Sequence, residues 1–448
     1  MSTVEQGNED HTSRNIDALP VELIDLVFQY ASEDIDTTSV CSLVSRTWRE
    51  IALPHLFSWL TVERRDTFED FLDFLDTHLH IACCIRTLEL AQISESTSRG
   101  SLSAVGLDTL TGLVAKLPAL QVLFLRGVFF VDPQHPDASI LTSQGTSHRQ
   151  LKHLEIRDCF GYVKSDLPLI DLPTLIGILQ TLPADSVTLS YTKIVAVPPS
   201  DPRMTRMLRP STRLHLRELT LDRVEFEGQQ HHDMRHLYDA LRQVLAPGYL
   251  HSFLSRVGFG TYPDGESMRA FGELVHSTAE TLQHLGLPFT VRHLVKASEH
   301  LPEHWRKLNL HECHNLQSFT LSVHPPMLRT LATARGSPYR QDVPLSTTCI
   351  SILSHLPPTV RAFTLAICDE VAPAHIRNKK MGLEALDEAL LSAERFPSLE
   401  LVEVTLRQRY HPEASIHGCE LAVREVMPKC DRKGILKVSK DVTVMKSD

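Results

Sequence analysis

A chain of 448 residues with 42% hydrophobic content can bury a large core without disulfides or a structural metal. Its net charge of −10 excludes a dominant basic field, so no nucleic-acid partner is expected. It has no apolar run long enough to span a bilayer and no signal-peptide core, and its nine cysteines are scattered and odd in number; these features predict a soluble protein of a reducing compartment, cytoplasm or nucleus, with no membrane partner.

Residues 1–14 are polar and partly acidic and read as a disordered tail. Residues 15–57 read as a small helical unit. Leu19, Leu23, Leu26, Val27 and Tyr30 recur at helical spacing along one stripe, and Ile24, Phe28 and Ala31 along another. So short a unit cannot cover both stripes, so one must meet the rest of the chain or a second protein. The other is expected to close a small core with Leu43, Val44 and Trp48. Pro20 suits the first turn of the first helix, Thr37, Thr38 or Ser39 can cap the next, and Pro54 is expected to end it.

The segments Leu19-Pro20-Val21-Glu22-Leu23-Ile24, Val27-Phe28-Gln29-Tyr30 and Cys41-Ser42-Leu43-Val44-Ser45-Arg46-Thr47-Trp48-Arg49 together resemble an F-box. The resemblance covers about a tenth of the chain. It implies binding to a Skp-family adaptor and, through it, to a cullin scaffold and a ubiquitin-conjugating enzyme. Carried over position by position, it marks Leu19, Pro20, Leu23, Ile24, Phe28, Leu43, Val44 and Trp48; some would close the core and others face the adaptor.

From residue 58 to 427 the chain repeats. A Leu-x-x-Leu-x-Leu spacing, with aliphatic or Phe replacements, starts at Phe57, Ile85, Leu120, Leu151, Leu216, Leu254, Leu282, Leu316, Val360 and Leu399, about every 35 residues. A degenerate copy at Val187-Thr188-Leu189 fills the longest gap. Each copy alternates as a half-buried strand does. Helical stripes lie between copies, such as Leu107, Leu110, Leu113, Val114 and Leu117, then Leu237, Leu241, Val244 and Leu245, then Leu383, Leu386 and Leu390. Leu117-Pro118, Leu182-Pro183, Leu356-Pro357-Pro358 and Phe396-Pro397 stop helices just before strands. Cys159 and Cys368 stand eight residues after Leu151 and Val360. Segments 130–150, 195–213 and 325–344, rich in Pro, Ser, Asp and Arg, read as surface inserts.

This array is similar to a divergent leucine-rich repeat. The predicted fold class is therefore α/β: a helical F-box followed by an irregular solenoid with a parallel sheet. Side chains between the buried leucines would face the open side and select a client protein. Phe124, Arg126, His153, Glu155 and Arg157 are the first candidates, because aromatic and Arg side chains favour hot spots. Glu218 and Asp222 follow, and toward the C-terminus the face turns small with Gly258, Gly286, Ser318, Thr320 and Thr364. Residues 428–448, with six lysines and arginines, read as a terminal cap or a solvated basic tail.

Catalytic and metal patterns are weak. His311-Glu312-Cys313-His314 places its second histidine three rather than four residues after the first, His232 and His236 lack a third ligand, and Gly258-Phe259-Gly260 lacks a third glycine. Cys83-Cys84 has no nearby basic group except Arg86 to lower a thiol pKa. No cofactor, metal or catalysis is expected. The reading is a non-catalytic subunit of an SCF-type ubiquitin ligase that selects its client; the alternative is an interaction scaffold without a ligase role.

Overall fold

The computed structural model describes residues 19–31, 34–64, 68–92, 105–130, 150–161, 169–195, 197, 201–208, 213–227, 234–256, 265–290, 305–324, 345–367, 371–379, 381–392, 394–407 and 413–441. Among the described residues three short helices come first: α1 (Val21–Ala31), α2 (Ile35–Cys41) and α3 (Arg46–Leu56). The Pro20 carbonyl accepts the first helical bond from Ile24 N at 3.2 Å. Asp34 caps α2, accepting from Thr37 N at 3.1 Å and Thr37 Oγ1 at 2.7 Å. Those bonds hold the Asp34 carboxyl below its ordinary range. The cap thus precedes the Thr37–Ser39 positions expected from sequence. Ser45 caps α3 through Trp48 N, and α3 runs two residues past Pro54 before ending at Leu56.

The rest is a mixed α/β body built on one sheet of twelve strands, all parallel and all in chain order. They are β1 (Trp59–Arg64), β2 (Thr87–Gln92), β3 (Val122–Arg126), β4 (Leu151–Arg157), β5 (Ala184–Ser190) and β6 (Glu218–Asp222), followed by β7 (Ser252–Arg256), β8 (His284–Thr290), β9 (Ser318–His324), β10 (Ala362–Ile367), β11 (Leu401–Arg407) and β12 (Leu436–Asp441). Alternation places Leu88 and Leu90, Leu123 and Leu125, Leu154 and Ile156, and Leu219 and Leu221 in one core, each fully shielded. Helices Leu107–Lys116, Arg235–Val244 and Leu383–Leu390 bury the predicted stripes against the same core. Burial of such aliphatic side chains contributes about 1.5–3 kcal/mol each. Each strand therefore depends on its neighbours for most of its stability.

Register corrects one repeat. Leu219 pairs with Phe253 and Leu221 with Ser255, so Leu250 opens that copy and Leu254 lies on the opposite face. A serine in place of the last aliphatic residue hides the pattern. The degenerate copy at Val187 and Leu189 is a full strand, β5.

Four successive strands close alike. Gly127, Asp158, Tyr191 and Arg223, just after β3 to β6, have φ of 63°, 50°, 52° and 53°. Only Gly127 takes this conformation freely. A Cβ there would also sit 3.0 Å from the Gln92 carbonyl oxygen. The next residue, Val128, Cys159, Thr192 or Val224, then turns inward and is buried. Cys159 Sγ donates to Leu125 O at 3.2 Å, and Thr192 Oγ1 to Ile156 O at 3.4 Å, each reaching the preceding strand. Cys368 lies outside the described residues.

Burial pushes the Cys159 and Cys349 thiols up to about 12, and Cys313 likewise. At pH 8 roughly one such thiol in ten thousand is ionised. Iodoacetamide should therefore label the exposed Cys83 in the native protein and reach Cys159, Cys313 and Cys349 only after denaturation. Peptide mass spectrometry reads this directly. Equal labelling rates at Cys83 and Cys159 would contradict the buried ladder.

Two further differences concern segments read as irregular. Segment 195–213 contains a helix, Pro202–Met207, whose cap Asp201 accepts from Arg203 N at 2.8 Å. Arg203 Nη1 also reaches Asp171 Oδ2 at 3.0 Å, and Met204 is buried, which is why this stretch orders. Residues 428–441 form a helix, Pro428–Arg432, and the twelfth strand. The buried Asp387 carboxylate accepts from Lys429 N at 2.9 Å and Cys430 N at 2.8 Å, fixing that helix to the body. The bulk of segments 130–150 and 325–344 lies outside the described residues, as do residues 1–18.

Candidate functional site

Two surfaces are candidates for binding. The first is on the three-helix unit. Ile24, Phe28 and Ala52 form its own small core, separate from that of the sheet, with Cys41, Trp48, Ile51 and Leu56 packed around it. The Phe28 ring meets Trp48 edge-on at 5.6 Å and stacks on His55 at 6.0 Å. His55 Nε2 in turn lies 2.8 Å from Asp25 Oδ1, tying α3 to α1.

The other stripe is bare. Leu19, Leu23, Leu26, Val27 and Tyr30 all face solvent, Tyr30 with 82% of its surface. Val21 extends the patch, and Ile35, Val40, Leu43 and Val44 from α2 and the turn after it are also exposed. Scattered apolar side chains are ordinary on a surface, but ten within so short a segment are not.

Sequence could not sort the marked residues; burial does. Leu19, Pro20, Leu23, Leu43 and Val44 are available to a partner. Ile24 and Phe28 are not, because they fill the core, and Trp48 is half-buried against Phe28. Leu43 and Val44 do not close the core as expected. They fall in the turn after α2, whose geometry points them outward, and Ala52, Ile51 and Leu56 of α3 take that place. Ile35 was not singled out from sequence, and Val21 and Val40 were seen as apolar helix positions without being marked for a partner.

The second surface is the polar face of the sheet, opposite the leucine core. In-register pairing sets its side chains in rows. Phe124 lies between Glu89 and Glu155, Arg126 between Ala91 and Arg157, and Val122 between Thr87 and His153. The five sequence candidates on β3 and β4 thus form one patch. Phe124 stacks on Trp59 at 5.8 Å and meets His153 edge-on at 6.1 Å. Burial pushes the His153 pKa down, which favours the neutral ring. The Arg157 guanidinium lies 5.2 Å from the Tyr191 ring and that of Arg223 4.8 Å from it. Trp59, Tyr191 and Arg223 were missed. Trp59 stands two residues after the first repeat leucine equivalent, Phe57, and was findable by register; Tyr191 and Arg223 depend on the turn that follows each strand.

Glu218 and Asp222 lie on this same face, in register with Ser186 and Ser190. Beyond them come Gly286, Ser318, Thr320 and Thr364, and the relief is low. Gly258 and His232 lie outside the described residues. His311 and Glu312 occupy a short 3-10 turn, where Glu312 meets His276. Among the described residues no three His, Cys, Asp or Glu side chains are placed together to hold a metal ion. Among them too, no helix is long and apolar enough to cross a membrane. No protein-family model matches this sequence, and no curated protein matches it.

Proposed function

We propose that this chain is the client-selecting subunit of an SCF-type cullin-RING ubiquitin ligase. In this reading the three-helix unit is an F-box whose bare stripe docks in a groove of a Skp-family adaptor. The sheet is an irregular, leucine-rich-repeat-like solenoid that presents its polar face to the client. The observation that carries the reading is the apolar patch from Leu19 to Val44, left outside a core that is already complete. An amphipathic helix with one satisfied and one unsatisfied face is a helix-in-groove ligand. The chain order of twelve parallel strands supports the solenoid, because each unit then contacts chiefly its neighbours.

The test is reconstitution. The full chain co-expressed with a Skp-family adaptor should co-purify with it, and Leu19→Asp with Pro20→Ala should abolish the complex while the sheet body stays folded. With cullin, RING subunit, ubiquitin, ATP and the activating and conjugating enzymes added, ubiquitin should pass to a captured client. Unchanged adaptor binding by the double variant would defeat the proposed surface. Adaptor capture without cullin-dependent transfer would leave a scaffold instead.

A further inference from the structure

The left-handed turns after β4, β5 and β6 carry strain at Tyr191 and Arg223. Asp is tolerated in that conformation, as at Asp158, but a bulky side chain is an outlier there, and glycine serves the same turn at Gly127. Gly127 N donates to Arg157 O, Asp158 N to Ser190 O and Tyr191 N to Asp222 O, so the turns stand in line along one edge of the sheet. The turn itself does not require the Tyr191 and Arg223 side chains, and strain held in this way marks binding sites. The Tyr191 ring takes two cations. Arg157 comes to it from β4 and Arg223 from the turn after β6, their guanidinium carbons 5.2 and 4.8 Å from its centroid. The two charges are therefore no more than about 10 Å apart. Arg126, exposed and in register with Arg157, adds a third basic side chain to the edge. Against these stand Asp158 and Asp222, both half-buried. Asp158 Oδ2 lies 3.6 Å from Arg157 Nε, beyond hydrogen-bond length, and among the described residues that Nε has no hydrogen-bond partner. Among them too, no carboxylate forms an ion pair with Arg223. In a chain of net charge −10, this edge is basic and incompletely neutralised.

We propose that Arg157, Tyr191 and Arg223 form a receptor for an acidic segment of the client, with one Asp or Glu side chain taken by each guanidinium. The proposal rests on the client-receptor reading and adds the chemistry of the client. Contact with the ring orders a guanidinium without consuming its N–H donors, so both forks are held ready for carboxylates. A carboxylate then gains a charge-assisted, planar match at each. Acidic residues at alternate positions of an extended segment leave its backbone about 6.6 Å apart on one side, a spacing that side chains can adjust to two cations so placed. The same pair of charges repels a basic segment, so the edge discriminates by sign.

The test uses the full chain at low ionic strength and three capped, rhodamine-labelled peptides, Gly-X-Gly-X-Gly, with X as Asp, Asn or Lys. Fluorescence anisotropy reports binding. The Asp peptide should bind saturably and be released by added salt, the Asn peptide should bind about tenfold more weakly, and the Lys peptide should not bind. Arg157→Gln and Arg223→Gly should each weaken the Asp peptide about tenfold. Arg223→Gly also removes a strained side chain from a turn that glycine fits, so its melting temperature and adaptor capture should not fall. No saturable response to the Asp peptide, equal binding of the Asp and Asn peptides, preference for Lys, or full Asp binding by Arg223→Gly would overturn the proposal. If Arg157→Gln misfolds, Arg223→Gly decides. A failed peptide test with adaptor capture intact rejects only the acidic-segment receptor; lost adaptor capture with peptide binding intact rejects only the ligase reading.

Discussion

Leu23→Asp should abolish adaptor capture, a fall of more than about a hundredfold in affinity, without lowering the stability of the protein. Leu23 lies in the first turn of α1 and faces solvent, so the native fold loses no buried contact. An aspartate there also complements the positive end of the helix dipole. Opposite a partner groove, however, the same carboxylate must be desolvated without a counterion, which is costly. Phe28→Ala should also abolish capture, by a different route. Phe28 is 1% exposed and anchors the small core through Trp48 and His55. Removing a buried Phe costs about 3–5 kcal/mol, more than so small a unit can spare. Hydrogen exchange over residues 21–56 separates the two: protection should persist in Leu23→Asp and vanish in Phe28→Ala. If Leu23→Asp kept full adaptor binding, or if both variants lost protection together, the division of α1 into a packed face and a docking face would be wrong.

Among the described glycines of the sheet body, Gly272→Ala should be the most damaging added methyl. Gly272 is buried in the helix Gly265–Thr278, where that helix meets the backbone of Lys307 and Leu308. An added Cβ would overlap the Lys307 carbonyl oxygen and lie 3.1 Å from Leu308 Cα. The obstacle is backbone, not the end of a flexible side chain, so relief requires shifting the segment that carries the buried Leu308 and Leu310. Asn309 ties that segment to the same glycine, with φ of 53° and its Nδ2 donating to Gly272 O at 3.1 Å. Overpacking of this kind costs about 3 kcal/mol or more. Urea denaturation should show a lowered midpoint for the sheet body. Adaptor capture should survive, because the three-helix core is separate. A midpoint within experimental error of the parent would show that the two backbones do not meet as closely as described.

The two variants probe parts of the molecule that differ in how far sequence alone could describe them. Leucine spacing is a local property with a period of two, and it was enough to place strands at Ile85, Leu120, Leu151, Leu216 and Leu282, with Pro-ended helices between them. It failed where one position was chemically off-pattern, as at Ser255, because a missing aliphatic residue removes the only signal of register. The double stripe of α1 was likewise legible as two faces needing two partners.

Which face stays bare was not legible. Both stripes are apolar, and the choice depends on α3 bringing Ala52, Trp48 and Ile51 onto Ile24 and Phe28, while the turn after α2 throws Leu43 and Val44 outward. The patch on the sheet follows the same division. Sequence determined that Phe124, His153, Glu155 and Arg157 alternate away from the core. Only the tertiary register set Glu89 and Glu155 on either side of Phe124 and brought Trp59 and Tyr191 beside them, across separations of roughly 30–65 residues. Alternation is encoded in neighbouring residues, whereas proximity between strands is a consequence of how whole units stack.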